Sequence, residues 1–201
     1  PPLNIMTMEE GFITLTHYFT STHGVPVESY RFNLDEWKGW TTAAELASQS
    51  GYRLDLSVRH YAPWLRNASG AWVYGHMTGG ARPLPYVRSD GQVLLTEQQP
   101  VQLDTQHLFR DITASNANLD EEGMVVVAQA LIDRSNNGDY AALTARLQTD
   151  YAYAVPALAR VVAYARQQNA QLMNPNRYSQ FVKARSAVRY TDLAWSAPER
   201  K

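Results

Sequence analysis

Residues 40–65 read "WTTAAELASQSGYRLDLSVRHYAPWL", and the fold turns on whether the second half of this stretch is helix or strand. As a helix it completes a helix-turn-helix with arginines placed for a DNA groove; as a strand it belongs to a sheet. The first half is straightforward. Thr42-Ala43-Ala44-Glu45 fits a capping box, in which the threonine hydroxyl and the glutamate carboxylate each satisfy the other residue's backbone N–H. A helix over 42–50 follows, with Ala43, Leu46 and Ala47 on one face and Gly51 as its terminator.

The second half alternates. Tyr52, Leu54, Leu56 and Val58 interleave with Arg53, Asp55, Ser57 and Arg59, a period of two that suits a half-buried strand. A recognition helix over 54–66 would also contain Pro63, which removes a backbone donor and clashes with the preceding turn at a cost of ~3 kcal/mol. The stretch is therefore expected to run helix then strand, with Arg53, Asp55 and Arg59 on the polar face of a sheet. A winged-helix-like DNA-binding regulator remains an alternative that requires 54–66 to be helical.

Toward the N-terminus, Phe12-Ile13-Thr14-Leu15-Thr16-His17-Tyr18-Phe19 is β-branched and aromatic, which predicts a strand with Ile13, Leu15 and Tyr18 buried. Residues 28–33 alternate as a second strand. Residues 71–74 and 92–95 are further strands, separated by a stretch rich in Gly and Pro. Beyond Pro100 the pattern becomes helical. Met124, Val127, Ala128 and Leu131 keep the i, i+3, i+4, i+7 spacing behind Asp120, Glu121 and Glu122, and Asn136-Asn137-Gly138 ends that helix. Asp139 then caps another, with Tyr140, Leu143 and Leu147 on one face. Pro156 opens a third, carrying Leu158, Val161, Val162 and Ala165, which Asn174-Pro175 stops. A last helix spans 177–188, although Arg185 falls on the face of Phe181 and Val182. The expected fold is α+β: a small, mainly antiparallel sheet with one packed helix in a β-rich region 1–100, and a helical region 101–201, the two being either separate or continuous as one domain.

Composition narrows the class. The 201 residues are 45% hydrophobic and 11% aromatic, enough for a real core, and no apolar run approaches the ~20 residues of a membrane span. Cysteine is absent, so disulfides, thiolate nucleophiles and cysteine-ligated metals are excluded. Arg outnumbers Lys 15 to 3, the usage of a GC-rich, bacterial genome. The chain is expected to be soluble, either cytoplasmic or exported after loss of a signal peptide; Pro1 is not a start methionine, so both stay open. Charge is uneven: residues 1–150 hold 10 Lys/Arg against 17 Asp/Glu, and residues 151–201 hold 8 against 2. Such asymmetry marks either attraction within one fold or a surface for an acidic partner.

Catalytic motifs are missing. The histidines, 17, 23, 60, 76 and 107, form no HExxH, and residues 75–80 lack the endings of a Walker or dinucleotide loop. No metal site or cofactor is expected. The densest reactive stretch holds His17, Thr20, Ser21 and His23, where a hydroxyl beside a histidine permits proton transfer if a carboxylate orients the imidazole. These four are the candidate catalytic residues of an alternative reading, a small effector-like hydrolase or transferase. The leading expectation is a non-catalytic accessory component of a bacterial assembly, bound to a protein partner, with nucleic acid less favoured. Its binding residues would be Trp37, Trp40, Trp64 and Trp72, which lie within 36 positions, and the basic Arg177, Lys183, Arg185 and Arg189.

Overall fold

A computed structural model describes residues 7–32, 39–58, 64–66, 68–74, 81–105, 119–139, 142–147 and 154–191. Among them the chain runs α1 (Met8–His23), β1 (Ser29–Tyr30), α2 (Thr42–Gln49), β2 (Leu54–Asp55), β3 (Trp64–Arg66), β4 (Trp72–Tyr74), β5 (Leu84–Val87) and β6 (Val93–Gln98). Then follow β7 (Leu103–Asp104), α3 (Glu121–Arg134), β8 (Ala145–Arg146), α4 (Ala154–Gln167) and α5 (Pro175–Ala187). The class is α+β, as expected. The main sheet has the order β1-β2-β6-β5 and is mixed instead of mainly antiparallel. β1, β2 and β6 run parallel; for β1 and β2 this follows from α2, which carries the chain from β1 back to the start of β2 as a crossover. β5 joins β6 antiparallel as the edge, with a register shift between Pro85 and Val87. Proline is tolerated there because an edge strand has a side that needs no donor, so a stretch expected to be loop forms a strand.

The helix-then-strand order of 40–65 holds, but the expected capping box at Thr42 does not form. Thr42 is already helical, Thr41 stands at the N-cap without a side-chain bond to the backbone, and its hydroxyl donates to the Glu45 carboxylate instead. Leu54–Asp55 and Trp64–Arg66 are strands, so the helix that a DNA reader requires over 54–66 is not formed there. Pro63 and Arg59 lie outside the described residues.

The largest correction is α1, a helix where a strand over 12–19 was expected. Its cause lies outside the β-branched run. The Glu10 N–H donates to Thr7 Oγ1 (3.2 Å) and the Thr7 N–H donates to Glu10 Oε2 (2.8 Å), a complete capping box. At the other end Gly24 closes the helix in the left-handed region (φ 62°), and its N–H donates to the Thr20 carbonyl. Inside, Thr16 and Ser21 hydroxyls donate to the carbonyls of Phe12 (2.7 Å) and His17 (2.6 Å), four residues back. A second correction concerns the helix expected after Asp139: residues 142–147 are extended, with β8 parallel to β7. Gln102 holds them open. Its N–H donates to the Thr144 carbonyl (3.0 Å), and its side-chain oxygen accepts the Thr144 N–H (2.8 Å). Finally, Asn174-Pro175 begins a helix instead of ending one. Asn174 Oδ1 caps the Arg177 N–H (2.8 Å) and Pro175 takes the first turn, where its missing donor costs nothing.

Two apolar clusters result. In one, Phe12 of α1 and Ala47 of α2 meet Tyr52, with Met8, Val27, Tyr30, Phe32 and Leu46 around them. Phe12 contacts three rings there, at 4.9 Å from Tyr30, 5.9 Å from Phe32 and 5.1 Å from Tyr52. In the other, Met124, Val127, Ala128 and Leu131 of α3 pack on Ala154, Ala157, Val161 and Ala165 of α4 and on Leu103 of β7. The small residues of α4 let the two helices approach closely. α5 is tied to the sheet by Asn176, which donates to the Pro26 carbonyl (3.0 Å), and by Tyr178, whose hydroxyl bonds Gln99 (3.1 Å).

Candidate functional site

The four reactive residues of the N-terminal stretch all sit on α1, and all are exposed. His17 and Ser21 are one turn apart on the same side, yet the Ser21 hydroxyl donates its proton to the backbone carbonyl of His17, within the helix. Thr20 shares that side. His23 lies across the helix and faces aromatic rings, 5.7 Å from Tyr18 and 5.9 Å from Phe19. Among the described residues neither histidine has a carboxylate partner to orient its ring, so the arrangement lacks what a general base needs. Nor does any group of three or more His, Asp or Glu among those residues converge to hold a metal ion.

The tryptophans are spread. Trp40 is 83% exposed beside the start of α2. Trp64 and Trp72 belong to the β3–β4 hairpin, where Trp64 pairs with Tyr74 and Trp72 with Arg66 in the backbone register. Trp37 lies outside the described residues, as do His60, His76, His107 and the 75–80 turn. Arg177, Lys183 and Arg185 are exposed on α5, and Arg189 follows it, donating to the carbonyls of Ser186 and Val188 (both 3.2 Å).

What the composition of the first strand concealed is the outer side of α1. Ile13, Leu15 and Tyr18, expected to be buried, are 58%, 53% and 52% exposed, and Phe12 is the residue that enters the core. Leu15, Tyr18 and Phe19 stand at i, i+3 and i+4, so they form one apolar strip alongside the buried face. Tyr18 and Phe19 meet edge to face at 5.4 Å, and His23 closes the strip at the helix end. No Asp, Glu, Lys or Arg occurs from residue 11 to residue 27. The signal that could have revealed this strip was the pair of caps, Thr7-x-x-Glu10 and Gly24, read together with a helical period.

Asp55 was expected on the solvent side of the sheet and is instead fully buried. Its Oδ1 accepts the Ser57 N–H (2.7 Å) and its Oδ2 accepts the Tyr86 hydroxyl (2.9 Å), while the Ser57 hydroxyl accepts the Phe32 N–H (2.9 Å). The carboxylate thus links the ends of β1, β2 and β5. Burial first, then the Asp55 charge, hold the protons of Tyr30 and Tyr86 far more tightly than an ordinary phenol does. With both oxygens engaged and solvent excluded, Asp55 is a staple for the sheet. A parallel network fixes α2: Thr96, fully buried, donates to the Tyr52 carbonyl (2.7 Å) and contacts Ser48 Oγ at 2.9 Å. Comparison with protein-family models, with curated proteins and with solved structures gave no match.

Proposed function

We propose that the protein is a non-catalytic interaction component, an accessory part of a bacterial assembly, and that α1 is its contact helix. One observation carries this reading: α1 is capped at both ends and anchored by Phe12, yet it leaves Leu15, Tyr18 and Phe19 exposed in a segment, residues 11–27, without a charged residue. A surface strip of adjacent large apolar side chains, aromatic and charge-free, is the composition of the centre of a protein interface. The exposed Trp40 and the outward-facing Val87–Val93 pair on the β5–β6 hairpin extend the apolar surface that a partner can use. No helix of the described residues is long and apolar enough to cross a membrane.

The test is a paired pull-down. Wild-type protein and a Leu15→Ser/Phe19→Ser variant serve as baits in an extract of the source cells, with retained proteins quantified by mass spectrometry. The wild type is expected to retain at least one protein that the variant loses, at matched fold content by circular dichroism. Identical retention by both baits overturns the assignment of α1.

A further inference from the structure

We propose that the outward stripe of α5, formed by Arg177, Phe181 and Arg185, docks an acidic segment of a partner protein in which carboxylates alternate with apolar side chains. The proposal rests on the reading of the chain as an interaction component and names a second surface of it.

α5 is held to the body on one side only. Asn176, Tyr178, Ser179 and Val182 turn inward, whereas Arg177, Gln180, Phe181, Ala184 and Arg185 face out, and residues 183–191 are all exposed. A helix so exposed ordinarily depends on opposite charges spaced three or four residues apart. Here none is possible, because residues 151–191 contain six Lys/Arg and no Asp or Glu. Among the described residues, the ion pairs of this segment are those of Arg160 with Glu121 (3.5 Å) and Glu122 (2.7 Å), on α4. Arg177 sits in the first turn of α5, where a cation opposes the positive end of the helix dipole. Arg185, in the last turn, lies near the half-buried Glu97 of β6 without forming an ion pair with it among the described residues, and Arg189 lies beyond the helix end.

Carboxylates supplied from outside answer each of these. They pair with Arg177 at the helix start and with Arg185 and Arg189 at its end. Between those cations lies apolar surface: Phe181, 48% exposed and stacked on Tyr178 at 6.3 Å, and Val188, 53% exposed. That alternation of charge and apolar area matches a peptide mixing both. A nucleic acid fits less well, because a uniform chain of phosphates offers no apolar side chain to the Phe181 and Val188 surface that lies between the cations.

The experiment uses the full chain and fluorescence anisotropy. The probes are a short labelled peptide alternating glutamate with leucine and phenylalanine, its glutamine counterpart, and a single-stranded RNA of equal charge. Saturable binding of the glutamate peptide is expected, about tenfold or more tighter than that of the glutamine peptide. Arg177→Glu and Phe181→Ser should each weaken it by about tenfold, with Ser186→Ala, on the other side of the same helix, leaving it unchanged. Equal binding of the two peptides, tighter binding of the RNA, or indifference to both variants overturns the proposal. If the α5 variants have no effect while the α1 variant still loses its retained protein, the stripe assignment fails and the interaction reading stands. Loss of the α1 result alone has the converse meaning.

Discussion

Asp55 concentrates the residue-scale energetics of the sheet. Replacing it with Ala leaves the buried Ser57 N–H without its acceptor, at about 1–3 kcal/mol, and removes the Tyr86 hydroxyl's bond to β2. Tyr86→Phe removes a donor and leaves one carboxylate oxygen less well solvated, so it should destabilise by less than Asp55→Ala; urea denaturation of the two variants checks the order. Asp104 and Arg146 pair at 2.9 Å with side chains only 3% and 13% exposed. Breaking that pair with Arg146→Met takes the cation from a buried carboxylate, an effect on the order of 3–5 kcal/mol, and a second change, Asp104→Leu, should recover most of it. A double variant no more stable than Arg146→Met contradicts this. Neither carboxylate was visible in the sequence as a buried group. Alternation from Tyr52 to Val58 placed Tyr52 and Leu54 inward correctly, but Asp55 is enclosed as well, by the Tyr86 hydroxyl of a strand roughly thirty residues away along the chain. Phe12 is the apolar counterpart. With three aromatic neighbours and 4% exposure, Phe12→Ala should cost about 3–5 kcal/mol, whereas Leu15→Ala, on the same helix but outside, should change stability little.

At the scale of the element, α1 shows how termini overrule composition. Its middle is written in residues that favour strands, and a reading based on them fails. The ends decide: one capping box of Thr7 with Glu10, and one left-handed glycine at position 24. Thr7→Ala should therefore lower stability by about 1 kcal/mol, although Thr7 touches no core residue. The box also sets a pH dependence. Hydrogen bonds from the Thr7 backbone and side chain hold the Glu10 carboxyl below its usual range. A carboxyl depressed in the folded state contributes stability above its unfolded pKa and loses it as pH falls through the folded value. Acid titration of stability should accordingly be shallower in Glu10→Gln than in wild type below about pH 4.5. Equal slopes would show that the box is not formed in solution. The segment 142–147 teaches the same lesson in reverse. Asp139, Leu143 and Leu147 have helical spacing, but Gln102 offers their backbone a ladder, and a partner some forty residues distant in sequence is invisible to local periodicity. α3 and α4 were legible because each carries its own period against the other.

The whole molecule combines two apolar clusters with surfaces that its own residues leave incomplete. The α+β class follows from the switch of period near residue 100, and it is the feature that sequence reading recovers best, since it depends on no single boundary. The sheet's direction was not recoverable in the same way, because parallel pairing arises from which strand α2 leads back to. The charge asymmetry is partly absorbed inside the fold, by Arg160 with Glu121 and Glu122, and Arg185 stands near enough to Glu97 to oppose the rise that burial imposes on that carboxyl. The rest of the basic segment, like the apolar strip of α1, faces outward. Hydroxyl-radical footprinting tests the α1 contact most directly, comparing the purified protein with the same protein in an extract of its source cells. Tyr18 and Phe19, exposed in the isolated chain, should be labelled strongly when it is alone and several-fold less in the extract, while exposed Met173, on neither proposed contact surface, reports general shielding. Equal labelling of Tyr18 and Phe19 in both conditions would contradict the assignment of α1 as a contact helix.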